Sequence, residues 1–294
     1  MANLKEIQRK IKSVSNTKKT TRAMKLVSTA KLRKAEELAK RSRIYANKLN
    51  EVLSEITADI QRFKIGGIES RYFHPTAEPK IIDIVFVTAD KGLCAGFNIS
   101  TIKVVSKLLR EYKDKKVKVR LRGVGKKGVE YFKFNGVELV DSVSDLSHKP
   151  DYERSTDFIN VSINEYMVGN TDQVILIHNG YKNMITQEMH VDTILPIVVD
   201  TTAVENSDSL LEFEAYDEEK MLEALVCKYA EYNMYYALID SLAAEHSARM
   251  QAMDSATKNA TEMVDALNIK FNKARQEAIT TELIEIISGV ESLK

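Results

Sequence analysis

The chain has 294 residues, of which 43 are basic and 42 acidic, so its formal net charge is +1. A balance this close to zero excludes the strong overall field that attracts nucleic acids or anionic membranes. The two cysteines, Cys94 and Cys227, cannot build a disulfide framework, and no stretch approaches the roughly 18 apolar residues of a membrane span. Since the charged N-terminus also lacks a signal-peptide core, the composition predicts a soluble intracellular protein.

Glycine and proline are concentrated in the middle of the chain. All four prolines and ten of the eleven glycines lie between Gly66 and Pro196, whereas residues 1–65 and 197–288 contain neither. Because both residue types interrupt helices, their absence from the two ends predicts a long N-terminal helix and a long C-terminal helix around a compact middle.

Both end segments repeat apolar residues every three or four positions, as the a/d seam of a coiled coil does. Polar residues interrupt the N-terminal seam from Lys18 to Ser28, and the C-terminal seam is predicted to shift to Ile279 near its end. The N-terminal seam is Leu4, Ile7, Ile11, Val14, Lys18, Thr21, Lys25, Ser28, Leu32, Ala35, Ala39, Ser42, Ala46, Leu49, Leu53, Ile56 and Ile60. The C-terminal seam is Leu222, Leu225, Tyr229, Tyr232, Tyr236, Ile239, Ala243, His246, Met250, Met253, Thr257, Ala260, Val264, Leu267, Phe271, Ala274 and Ala278, followed by Ile279, Leu283, Ile286 and Val290.

Charge indicates that these two helices pair with each other. Residues 1–60 carry 15 basic and 6 acidic side chains, whereas residues 208–288 carry 7 basic and 16 acidic ones. Exposed ion pairs are individually weak, so this opposition selects a partner more than it adds stability. Two independently solvated helices would each leave an apolar stripe in water. We therefore predict an intramolecular antiparallel coiled coil.

The middle of the chain alternates strand-like and helix-like segments. Residues 81–87, 117–124 and 172–178 are predicted strands, and residues 99–112 and 155–167 have helical spacing. Residues 187–199 are predicted to add another strand. This alternation predicts a Rossmann-like α/β domain with a mainly parallel sheet, inserted between the terminal helices. The predicted domains are therefore residues 1–65, 66–207 and 208–294.

The segment RGVGKKGVEYF, residues 122–132, contains the G-x-G-x-x-G spacing of dinucleotide-binding loops. It follows the second predicted strand instead of the first, and Asp141 and Asp145 come sooner than the ribose-binding acid expected about 20 residues later. The favoured interpretation is a basic connection between a strand and a helix.

No catalytic or metal-binding motif is apparent elsewhere. Cys94, in the loop TADKGLCAGFN, has no histidine nearby in sequence and is predicted to be a small packed thiol. The five histidines form no H-x-x-x-H or H-E-x-x-H pattern, and His246 lies on the predicted seam. We therefore predict no catalytic residue, cofactor or metal on this chain.

Basic residues cluster in NTKKTTRAMK (16–25) and KLRKAEELAKRSR (31–43), which could suit nucleic acid or anionic lipid. The oppositely charged companion helix favours a solvated face and an acidic protein partner instead.

Three segments resemble the gamma subunit of F-type ATP synthases: NTKKTTRAMKLVSTAKLRKA (16–35), EHSARMQAMDSATKNA (245–260) and FNKARQEAITTELIEIISGVESL (271–293). TADKGLCAGFN resembles a loop of that family's central domain, and the likeness extends over nearly the whole chain.

The resemblance implies a non-catalytic rotor of a proton-translocating ATP synthase, one copy per complex, at the cytoplasmic face of the inner membrane. It implies contacts with the alpha and beta subunits of the catalytic hexamer, with the epsilon subunit and with the membrane c-ring. No nucleic acid is implied, and the membrane is reached only through the c-ring.

The resemblance also implies specific contact residues. Those toward a beta subunit are Arg22, Met24, Lys25 and Arg249, near an acidic loop, and Arg275, Gln276, Thr280 and Glu282, near the far end of the coil. The foot that meets the c-ring falls within FEAYDEE (213–219) and includes Glu214, Tyr216 and Asp217. Two other hypotheses remain: a coiled-coil adaptor that does not rotate, and an enzyme that uses the glycine-rich loop.

Overall fold

The computed structural model describes residues 4–63, 71–72, 76, 78–197 and 218–291. Helix α1 spans Leu4–Phe63 and helix α5 spans Glu218–Glu291. Between them lie β1 (Ile81–Val87), α2 (Phe97–Asp114), β2 (Lys118–Val124), α3 (Lys126–Phe134), β3 (Leu139–Val143), α4 (Tyr152–Val168), β4 (Gln173–Tyr181) and β5 (Gln187–Leu195). The predicted fold class, an α/β sheet with long N- and C-terminal helices, is confirmed.

The five strands form one sheet in the order β3-β2-β1-β4-β5. Strands β1 to β4 are parallel, and β5 joins β4 as an antiparallel edge. Strand β3 and helix α3 complete the alternation but were not clearly predicted. Strand β3 has only five residues, LVDSV, and none of them is fully buried, so it lacks the apolar run that marks a central strand.

Helices cover both faces of this sheet. On one face, Ile82, Ile84 and Phe86 of β1 pack with Val105 of α2 and Phe132 of α3. On the other face, a larger core joins the sheet to α4 and to the first part of α5. That core includes Val85, Val87, Leu176, Phe158, Ile159, Val226, Ala230, Met234, Ala237 and Leu238.

The chain divides into two compact units, each described here by itself. One unit comprises residues 30–248, and it contains the sheet together with parts of α1 and α5. The other unit comprises residues 1–29 and 249–294. The three-domain division of the sequence has its boundaries at residues 65/66 and 207/208, which lie outside the described residues, so it stays a prediction.

The terminal helices are antiparallel within each unit. In the 1–29/249–294 unit, the hydroxyl groups of Thr21 and Thr257 are hydrogen-bonded at 2.8 Å. In the 30–248 unit, the hydroxyl of Tyr232 donates to the Ser42 carbonyl at 3.3 Å. The predicted a/d positions from Leu4 to Leu53 and from Leu225 to Ala278 are all buried or half-buried, as a seam requires. The side chains of Ile56, Ile60 and Leu222 lie outside the described residues.

The predicted shift of the seam at its C-terminal end is wrong. Ile279, Leu283, Ile286 and Val290 are all exposed, as are Ile284 and Ile287. The register set by Thr21 and Thr257 pairs Leu4 with Ala274, so the described part of α1 does not extend opposite these residues. The last turns of α5 therefore carry an apolar surface, called the α5 tip below (residues 279–290), that α1 does not cover.

None of the described helices has the combination of length and apolar composition that crossing a bilayer requires.

Candidate functional site

The predicted contact residues Arg22, Met24, Lys25 and Arg249 all belong to the 1–29/249–294 unit. The antiparallel register places Arg249 opposite Thr29, one helical turn beyond Lys25. The structure thus brings Arg249 to the same segment of the helix pair as the other three residues, although it follows them by more than 220 positions in sequence. Their proposed contacts with another subunit stay predictions.

Part of the polar interruption of the N-terminal seam lies inside the helix pair. Thr21 and Ser28 are buried inside the helix pair, and the Thr21 hydroxyl bonds to Thr257. Both side chains are therefore shielded from solvent, and the Thr21–Thr257 hydrogen bond links the two helices. Arg22, which lies off the seam, is exposed and presents the positive charge outward.

Lys25 is engaged within the helix pair. Its Nζ donates to Asp254 Oδ1 at 2.6 Å, and Lys258 Nζ lies 3.1 Å from the other carboxylate oxygen. These lysines, Lys25 above all, hold the pKa of Asp254 below its usual value. Arg249 is only 8% exposed, so Arg22 offers the most accessible charge of the set.

Two apolar residues beside Arg22 were missed by the sequence reasoning. Leu26 and Val27 are 64% and 57% exposed, although they are flanked by buried or half-buried seam positions. Leu26 shares the face of α1 that Arg22 occupies one turn earlier, and a large apolar side chain beside an exposed basic residue is typical of a contact surface. The signal was present in the sequence, because both residues lie outside the a/d series.

The second predicted contact set lies toward the C-terminal end of α5. Arg275, Gln276, Thr280 and Glu282 are all exposed, and Thr280 donates its hydroxyl hydrogen to the Gln276 carbonyl at 2.9 Å. In the antiparallel register, this set begins next to Ala274, the residue opposite Leu4 at the start of α1. The predicted foot residues Glu214, Tyr216 and Asp217 lie outside the described residues.

The glycine-rich loop packs tightly against the end of β1. Gly125 has φ +95°, and a Cβ placed on it would overlap the Thr88 carbonyl. A Cβ on Gly128 would lie 2.5 Å from a Phe86 ring carbon. These glycines are therefore required by the close approach of β1, β2 and α3.

The N–H groups at the start of α3, which a phosphate would need, already have acceptors. Lys126 donates to Asp90 Oδ1 at 3.0 Å, Lys127 to the Ala89 carbonyl at 3.2 Å, and Gly128 to Thr88 Oγ1 at 3.0 Å. The Asp90 carboxylate would also repel an anion placed there. This geometry opposes the phosphate-cradling arrangement of a dinucleotide loop.

Cys94 is a packed thiol, as the sequence suggests. Its side chain is buried, and Asn98 donates to its sulfur at 3.3 Å while also accepting from the Ala89 N–H at 2.8 Å. The two hydrogen bonds of Asn98 therefore fix the conformation of this loop. His246 is likewise buried on the seam.

The chain belongs to the ATP synthase family, whose model matches residues 3–293. It is 68% identical to the ATP synthase gamma chain of Sulfurimonas denitrificans and 60% identical to that of Nitratiruptor, and each alignment covers all of both chains. The predicted resemblance to gamma subunits is thus confirmed.

Solved structures share the fold at low sequence identity. A chain of the Euglena gracilis mitochondrial ATP synthase aligns with a TM-score of 0.65 at 17% identity, over 99% of this chain and 94% of the other. A chain from the central stalk and c-ring of the Tetrahymena thermophila enzyme aligns with a TM-score of 0.61 at 24% identity, over 81% and 99%.

Proposed function

We propose that this chain is the central-stalk rotor of an ATP synthase, turned by the membrane c-ring and acting on the alpha/beta hexamer. The observation that carries the proposal is the antiparallel pairing of the two terminal helices, together with the full-length family match. A shaft that transmits torque needs continuous helices without glycine or proline, and both helices meet this requirement until Gly289.

The surface of the helix pair supports specific contacts with the hexamer. Arg22 and Leu26 lie one helical turn apart and are both exposed, so this face offers a positive charge beside apolar area. Such a face is complementary to an acidic loop. Arg275, Gln276 and Glu282 offer polar groups toward the far end of α5, where they would bind a beta subunit.

The remaining assignments follow from the family. One copy of the chain would stand at the cytoplasmic face of the inner membrane, contacting the epsilon subunit and, through residues 213–219, the c-ring. The related Tetrahymena and Euglena structures are described as containing central stalk, F1 or c-ring components. The chain itself would hold no catalytic residue or nucleotide, which agrees with the occupied N–H groups of α3.

The test of this function is direct observation of rotation. To attach a bead that reports rotation, Lys107→Cys places a thiol on α2, where the lysine side chain is 77% exposed, in a Cys227→Ser background. We expect this variant to fold and to accept the bead. In a complex with an immobilised hexamer, ATP hydrolysis should turn the bead in one direction. A complex that hydrolyses ATP while the bead stays still would instead favour the adaptor hypothesis.

Met24→Lys should impair coupling more than catalysis. Met24 is half-buried and lies between Arg22 and Lys25, so a third cation would face whatever contacts this segment. A badly placed charge at an interface costs up to several kcal/mol. In membrane vesicles, we expect ATP-driven proton pumping per ATP hydrolysed to fall, while hydrolysis itself continues.

Met24→Leu is the matched control for this prediction, because it keeps the apolar volume and should preserve coupling. Equal coupling in the lysine and leucine variants would remove residues 22–25 from the proposed contact surface.

A further inference from the structure

Two histidines and an aspartate meet inside the 30–248 unit. His178 lies on β4, His190 on β5 and Asp240 on α5, and the ligand atoms that they offer all lie within 4.8 Å of one another. None of these residues belongs to the contact surfaces described above. The cluster therefore calls for a separate explanation.

The sheet register and one glycine bring the three side chains together. His178 and His190 are direct partners in the antiparallel β4–β5 pair, and their rings stack with centroids 4.8 Å apart. A Cβ on Gly180 would lie 2.8 Å from His190 Nε2 and even closer to Asp240 Oδ2. The missing side chain thus lets the Asp240 carboxylate and the His190 ring approach the backbone of β4 closely.

The side-chain polar atoms of His178 and Asp240 are buried without hydrogen-bond partners. The side chains of His178 and Asp240 are 4% and 1% exposed, and neither the ring nitrogens of His178 nor the carboxylate oxygens of Asp240 make a hydrogen bond. Burial of unpaired polar groups is costly. Arg43 Nη2 lies 3.6 Å from Asp240 Oδ1, which leaves Oδ2 directed toward the histidines.

The spacing suits a metal ion. His178 Nε2 and Asp240 Oδ2 are 3.4 Å apart. Two ligands bound at about 2.0–2.2 Å to a tetrahedral ion lie roughly 3.4 Å from each other. His190 would complete the set after a small ring movement.

We propose that His178, His190 and Asp240 form a binding site for a divalent transition metal of the zinc type. Two imidazoles and one carboxylate are a ligand set that zinc accepts, with water in the fourth position. A cavity of about 380 Å³ reaches both histidines and supplies a path by which an ion can approach them; its lining includes His178, His190, Asp192, Tyr229, Asn233 and Tyr236. The bound ion cross-links α5 to strands β4 and β5.

The proposal departs from the sequence prediction of no metal. Zinc motifs are recognised by short spacings, such as H-E-x-x-H on one helix. Here the ligands come from three elements, and the aspartate follows His190 by 50 residues, so no local pattern reveals them.

The test uses the full chain without a histidine tag, made metal-free with a chelator. Calorimetric titration with zinc chloride should show one site per chain, and cobalt(II) should give the intense visible absorption of a tetrahedral nitrogen–oxygen site. His190→Gln should lower zinc affinity at least about tenfold and abolish the cobalt absorption, since even residues that merely support a metal ligand often matter this much. His190 is half-exposed, so this variant should fold.

The matched control is His148→Gln, at a half-buried histidine outside the cluster, which should bind zinc as the unaltered chain does. As a second variant, Gly180→Ala retains all three ligands, but its Cβ would displace the Asp240 carboxylate and the His190 ring, so it too should lose zinc binding. Absence of saturable zinc binding by the folded chain, or unchanged binding in folded His190→Gln, would overturn the proposal. Either result would leave Asp240 as the ion-pair partner of Arg43.

Discussion

Replacing Asp83 by asparagine is expected to destabilise the α/β unit by about 3–5 kcal/mol, the usual cost of removing one partner of a buried ion pair. Asp83 is fully buried in β1, where Arg122 Nε donates to its Oδ2 at 3.1 Å and Arg120 Nε lies 3.1 Å from its Oδ1. The variant leaves the guanidinium of Arg122 buried, with Asp141 at 3.8 Å as its nearest carboxylate.

The buried thiol of Cys94 offers a measurement confined to this unit. In a Cys227→Ser background, the rate at which a thiol reagent labels Cys94 reports how often the α/β unit opens. We expect Asp83→Asn to raise this rate on the order of a hundredfold to a thousandfold, since each 1.4 kcal/mol is a factor of ten.

Asp141→Asn is the matched control, because this carboxylate is 40% exposed and more distant from Arg122. It should change the labelling rate by only a few fold, as exposed ion pairs do. If the Asp83 and Asp141 variants labelled equally fast, the buried ion pair would have no special part in stability.

Gly125→Ala is expected to cost about 3 kcal/mol or more. Two effects combine, since a side chain at φ +95° is strained and its Cβ would overlap the Thr88 carbonyl. Gly96→Ala is a matched control in the same unit, because Gly96 has φ −80° and the nearest atom to its Cβ would be 3.9 Å away. Urea unfolding should separate the two variants clearly.

The same pair of variants decides between the structural and the nucleotide-binding interpretations of G-x-G-x-x-G. Equilibrium dialysis of the unaltered chain with NAD and with ATP should show no binding at micromolar concentrations. Micromolar binding that Gly125→Ala abolished without unfolding the chain would instead support the enzyme hypothesis.

The helix seam and the central strands could be predicted because both produce periodic or continuous apolar patterns in the sequence. The a/d series of α1 places Leu32, Ala35 and Ala39 on one stripe, and the structure buries all three. The central strands were equally clear, since IIDIVFV is a nearly continuous apolar run of the kind that parallel sheets bury.

What the seam alone did not predict is that α5 is covered on more than one side. Val226, Ala230 and Met234 lie off the a/d series, yet they pack into the core with β1 and β4. A helix that carries apolar residues all round is expected to be buried all round. The alanines between the seam positions were therefore the sequence signal that a second side of α5 is covered.

Features that depend on distant residues meeting could not be predicted in this way. The buried charge of Asp83 is tolerated only because β2 aligns Arg120 and Arg122 beside it. The His178, His190 and Asp240 cluster likewise depends on sheet register and on the position of α5. Such contacts are set by tertiary packing, which local patterns in a single sequence do not reveal.

The α5 tip has a mechanical consequence. Its isoleucine, leucine and valine side chains are exposed over successive turns, so they form a continuous apolar stripe along one side of the helix. Hydrophobic attraction has no preferred direction, unlike a hydrogen bond. Apolar contacts made by this surface can therefore be exchanged for other apolar contacts as the helix turns, without the alignment that a hydrogen bond requires.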